Sequence, residues 1–216
     1  MSNPGTSPHD AALDDAPTDV AASAALIAEQ RARVEQAVDV DARLLFGVWG
    51  TAWLLGFGVQ WALALDEPLL SVGSQLGQGL FGALLVTAGV ITAVHTARRS
   101  SGVVGTSATQ GAMYGWAWAV TFAGVATLGF ALNRLGTDPE LTATVMTGCS
   151  AIAVSALYMA GGAMWRDATQ FALGAWIGVV TMVAVVVGYP HLLAVMALLG
   201  GGGMLAVAVI EGVRRR

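Results

Sequence analysis

Hydroxyl groups gather in one apolar stretch of the chain. Thr142, Thr144, Thr147, Ser150, Ser155 and Tyr158 lie with Cys149 between residues 141 and 164, with no charge among them. Thr147 and Ser150 are three apart, the spacing that sets two side chains on one helix face. Small hydroxyls in an uncharged setting suit a passage for a neutral or weakly solvated solute. They cannot replace the shell of a strongly hydrated ion. The same groups also join helices to one another or bond their own backbone. His95 and Glu211 lie close to the ends of apolar stretches, where an imidazole and a carboxylate would form the inner mouth of such a passage. Thr147, Ser150, Ser155, Tyr158, His95 and Glu211 are therefore the candidate pathway residues. No nucleophile stands beside a base and no carboxylates are paired, so the chain does not read as an enzyme and implies no cofactor. No His, Cys, Asp or Glu cluster has metal-ligand spacing, and His191 falls at the opposite end from His95, so no metal is expected. Cys149 is the one cysteine, which rules out an intramolecular disulfide.

Six apolar runs must position these groups. A run of ~20 residues carries a helix across ~30 Å of hydrocarbon, and the runs here cover about 44–65, 76–97, 112–133, 141–164, 168–188 and 192–213. The chain is 56% hydrophobic and 11% charged, against ~25% charged in a soluble domain; its mean hydropathy is +0.68. The expected fold is all-α, a polytopic membrane protein of six transmembrane helices. Gly-Val-Trp at Gly47–Trp49, Gly115-Trp116 and Gly174-Ala175-Trp176 recur near the starts of the odd-numbered spans, a pattern that suggests three helical hairpins. Ahead of the spans, residues 1–19 form an acidic, Pro-containing tail of disordered character. Residues 20–41 read as a cytoplasmic or juxtamembrane helix, with Glu29 and Arg33 at a stabilising i,i+4 spacing. Residues 42–216 make the transmembrane domain.

Charge gives the threading. Arg31, Arg33, Arg43, Arg98, Arg99, Arg166, Arg214, Arg215 and Arg216 fall on one side of the implied membrane, and Arg134 alone falls on the other. The positive-inside rule then places both termini in the cytoplasm. The acidic start is unlike a cleavable signal, so the first span is expected to serve as the insertion signal. The net charge of -4 comes with no basic face, which excludes a nucleic-acid partner.

Glycine is abundant, 28 residues in all. Gly111/Gly115 and Gly174/Gly178 are GxxxG pairs that bring helices close, within the chain or in a homo-oligomer. Gly200, Gly201, Gly202 and Gly203 in mid-span six strip every face of the helix. Two neighbours must crowd that span from different sides, or the span hinges there.

Ala25–Arg33, Leu44-Leu45-Phe46-Gly47-Val48-Trp49-Gly50 and Met113-Tyr114-Gly115-Trp116-Ala117-Trp118 together resemble uncharacterised six-span membrane proteins of actinobacteria, some labelled only as transporters. The resemblance implies neither a mechanism nor site residues. The leading expectation is a small transporter or channel for a neutral or weakly solvated solute. The alternative is a non-transporting scaffold or subunit that docks a cytoplasmic protein through residues 1–41, with the lipid bilayer as the other partner.

Overall fold

A computed structural model describes residues 20, 22–27, 29, 41–99 and 106–214. The chain divides into two units, Met1–Val40 and Asp41–Arg216. In the first, residues 20, 22–27 and 29 are helical, and their apolar side chains Val20, Leu26 and Ile27 are exposed. The tail at 1–19, residues 21 and 28, and all of 30–40 lie outside the described residues.

The second unit is built from six long helices: α1 (Ala42–Ala64), α2 (Ser74–Arg99), α3 (Thr106–Arg134), α4 (Pro139–Trp165), α5 (Ala168–Val187) and α6 (His191–Arg214). All six are long and apolar enough to cross a membrane, and the described residues contain no strand. The chain is an integral, multi-pass membrane protein with an all-α fold.

Aspartates start three of the helices. The Asp41 carboxylate accepts the Arg43 N–H at 3.1 Å, Asp138 accepts those of Glu140 and Leu141 at 3.0 Å, and Asp167 accepts that of Gln170 at 3.0 Å. Each satisfies donors that have no partner in the first turn. The caps explain why α1 and α4 begin two residues before their apolar runs. α3 begins six residues before its run, because Thr106–Gln110 is polar enough to escape a hydropathy reading yet still continues the helix. The α4–α5 turn closes in two residues, with Arg166 in the left-handed conformation at φ 56° and the Asp167 N–H bonded to the Gly162 carbonyl at 2.8 Å.

Packing sorts the helices into a centre and two flanks. α4 lies along α5, α5 along α6, and α6 along α1; α2 adds to α1 and α3 to α4. Ile177, Leu192, Met196, Met204 and Thr181 are the largest fully buried side chains, all on α5 and α6. The rings of Phe46 and Tyr158 lie 6.2 Å apart, so side chains of α1 and α4 also meet across the centre. No described residue of α3 is buried, and on α2 only Gly77 and Ala88 are. Val86, Val90, Trp116, Val120 and Phe130 on these flanking helices are exposed apolar groups of the kind lipid covers.

Candidate functional site: the polar groups of the bundle

Contacts between helix ends place the charged and polar residues at a common level. The Asp41 backbone N–H donates to His95 Nε2 at 3.2 Å, tying the start of α1 to the end of α2. The Thr169 hydroxyl and the Arg214 guanidinium both donate to Glu211 Oε1, at 3.3 and 3.2 Å, tying the start of α5 to the end of α6. Tyr114 donates to the Leu157 carbonyl at 2.7 Å and accepts from Gln170 Nε2 at 3.3 Å, joining α3, α4 and α5. Arg43, Arg98, Arg99, Arg166 and Arg214 therefore share one end of the bundle, and Arg134 lies at the other, where its guanidinium sits 5.8 Å over the Phe130 ring.

The six candidate pathway residues do not converge. Ser155 is buried and donates to the Gly174 carbonyl at 2.8 Å, inside the α4–α5 seam. A Cβ on Gly174 would stand 2.8 Å from Met159 N and 2.9 Å from the Ser155 carbonyl, so the two backbones touch there. Tyr158 packs between Phe46 and Trp118, with ring centroids 6.2 and 5.8 Å away. His95 is held by the start of α1, and Glu211 by α5 and its own helix. Thr147 and Ser150 are half-buried, and their hydroxyls make no hydrogen bond among the described residues. α2, α4 and α6, which carry these six residues, each pack mainly on other helices: α2 on α1, α4 on α3 and α5, and α6 on α1 and α5.

Six threonine hydroxyls elsewhere are engaged locally. Thr51, Thr87, Thr92, Thr127, Thr144 and Thr181 each donate to the carbonyl four residues back, at 2.7–2.8 Å. This is the usual recourse of a threonine on a helix surrounded by apolar groups. Among the described residues one buried side-chain polar atom, Trp61 Nε1, has no hydrogen-bond partner. There is no group of three His, Cys, Asp or Glu side chains that could hold a metal among them.

Three of the four glycines of α6 are crowded, from two sides. A Cβ on Gly201 would lie 2.5 Å from Leu54 N and 2.9 Å from the Gly50 carbonyl, both backbone atoms of α1. On Gly203 it would lie 2.5 Å from the Trp176 indole nitrogen of α5, and on Gly200 3.1 Å from the Trp53 ring. Gly202 alone faces open space. Met196–Gly201 forms a π-helical turn, which misaligns the hydrogen-bond ladder of a helix. Within it, the Leu199 carbonyl accepts the Trp176 indole N–H at 2.9 Å.

The role of Trp176 is not visible in the sequence, which marks it only as part of the recurring Gly174-Ala175-Trp176 element. The bare Gly203 on the facing helix makes the room its indole needs. The three Gly-then-Trp elements also occupy unlike settings. Trp49 donates to Thr92 Oγ1 at 2.9 Å, Trp116 is 68% exposed, and Trp176 bonds the π-turn. Compared with models of protein families, with curated proteins and with solved structures, the chain matches none.

Proposed function

We propose that this protein is a membrane-embedded subunit that holds a partner, rather than a carrier of solute. The observation that carries this reading is the engagement of Ser155 and Tyr158, the span-four groups nearest the centre of the bundle. Ser155 is used in a backbone-tight seam and Tyr158 in an aromatic cluster, and the helices bearing the candidate residues do not enclose one another. Buried polar side chains almost all find protein partners, which is what a dry bundle requires, since lipid supplies none. Exposed Val20, Leu26 and Ile27 on the helical part of the N-terminal unit supply apolar side chains for a cytoplasmic partner.

A second reading, a small transporter or channel for a neutral solute, is favoured by one specific feature. The π-turn at Met196–Gly201 lies in mid-span, π-bulges recur at functional sites, and Thr147 and Ser150 keep free hydroxyls at half-buried positions. Deleting residues 1–39 separates the two. On the subunit reading, the truncated chain inserts and folds but loses its partner and all function. Retention of solute flux by the truncated protein in proteoliposomes would establish the transporter instead.

A further inference from the structure

Arg166 is the one described non-glycine residue with a positive φ, 56°. It sits just past the end of α4, where a helix that stops in the left-handed conformation ordinarily places glycine. An arginine there holds a strained backbone and projects a long cation from a two-residue turn. That cation has no protein partner: the guanidinium is exposed and makes no hydrogen bond or ion pair among the described residues. The adjacent carboxylate is already engaged, because Asp167 caps α5 through the Gln170 N–H.

The other described carboxylates at this end are likewise occupied. Asp41 is held by Arg43 at 2.9 Å, and Glu211 by Thr169 and Arg214. Positive charge is therefore left over at this level of the bundle, with Arg99 and Arg166 both exposed and unpaired. The depth is marked by Trp165, the last residue of α4. Its ring meets Tyr114 edge-on at 4.8 Å, and it remains 43% exposed. A half-exposed tryptophan held at a span end marks the boundary between acyl chains and headgroups, and the residue after it reaches the phosphate level. Met164, also exposed, continues the apolar surface beneath.

We propose that the α4–α5 turn docks the phosphate headgroup of an anionic phospholipid, with Arg166 as its cationic contact and Trp165 and Met164 against its upper acyl chain. A guanidinium matches a phosphate diester with paired donors, and an acyl chain is what distinguishes this occupant from a free anion. The inference depends on the membrane embedding of the bundle and is independent of whether the protein transports or scaffolds.

The test uses the purified full-length chain in phosphatidylcholine vesicles, with and without phosphatidylglycerol, reading the thermal unfolding midpoint within each variant. The wild type gains stability from phosphatidylglycerol. Arg166→Gly unfolds higher than wild type in phosphatidylcholine, because glycine suits φ 56°, yet loses more than half of the phosphatidylglycerol shift. Arg166→Lys, which keeps the charge but not the paired donors, retains part of it, more than Arg166→Gly does. Arg99→Gln, which removes an equal charge from a regular helix end, also retains most of it. The proposal is overturned if Arg166→Gly keeps the full shift, if Arg99→Gln loses as much, or if the wild type shows no shift. It is equally overturned if inorganic phosphate added to phosphatidylcholine vesicles reproduces the shift.

Discussion

Adding one methyl group at Gly201 and one at Gly202 should move stability in opposite directions. At Gly201 the new Cβ would stand 2.5 Å from Leu54 N and 2.9 Å from Leu54 Cα and the Gly50 carbonyl. That is roughly 1 Å short of ordinary contact, and all three atoms are backbone, so no side chain can rotate away. α1 and α6 must part, and overpacking of this kind costs ~1–3 kcal/mol. The upper part of that range applies, because the strain falls on two helix backbones; the gain in helix propensity, ~1 kcal/mol, offsets part of it. Gly201→Ala should therefore destabilise by ~2 kcal/mol. Gly202 faces open space, so Gly202→Ala keeps the propensity gain and should stabilise by ~0.5–1 kcal/mol. Trp53 and Trp176 flank the glycines, which makes tryptophan fluorescence during denaturation of the purified protein a direct readout. Stabilisation by both variants would refute the close α1–α6 crossing. It would make span six a loose or hinging helix.

The α4–α5 seam gives a second prediction: Ser155→Ala removes one interhelical hydrogen bond and should cost ~0.6–1.7 kcal/mol. Gly178→Ala should do at least as much harm, because its Cβ would lie 2.7 Å from Ser155 Oγ. Acid should weaken the protein through Asp41, whose carboxyl is held down at about 2 by its hydrogen bond from Arg43. A depressed carboxylate contributes stability above its unfolded value and loses it as pH falls towards the folded one. The stability difference between wild type and Asp41→Asn should therefore shrink between pH 4 and pH 2, and a difference that stays constant would exclude this pair. For the threading, alkaline phosphatase fused after Asp138 should be active and a fusion after Gly102 inactive; the reverse would place the arginine end outside the cytoplasm.

Span number and helix type were legible because lipid imposes one requirement, an uncharged run of fixed length, and the sequence meets it six times. Helix starts were legible only to within the caps. Asp41 and Asp138 add residues that hydropathy counts as loop, and Thr106–Gln110 adds more. The four glycines of span six were legible as an oddity, and α1 and α5 press on them from two sides through Leu54 and Trp176. Which hydroxyl faces which neighbour was not legible. Ser155 and Thr147 share a helix and a residue class, yet one bonds a carbonyl of α5 while the other is left free. That difference arises from crossing geometry between helices, which depends on bare backbone at Gly174 and leaves no periodic trace.

Whether the bundle is dry is the question on which the account rests. Single substitutions Thr147→Cys, Ser150→Cys and Ser155→Cys, each in a Cys149→Ala background, should resist a membrane-impermeant thiol reagent in intact membranes. Glu211→Cys, at the charged rim, should react when that face is open to the reagent. A packed bundle protects all three inner positions, with Ser155→Cys the most protected because it lies in the α4–α5 seam. Rapid labelling of Thr147→Cys, Ser150→Cys and Ser155→Cys together would reveal a water-filled passage along span four, contradicting the packed, non-conducting bundle proposed for this protein.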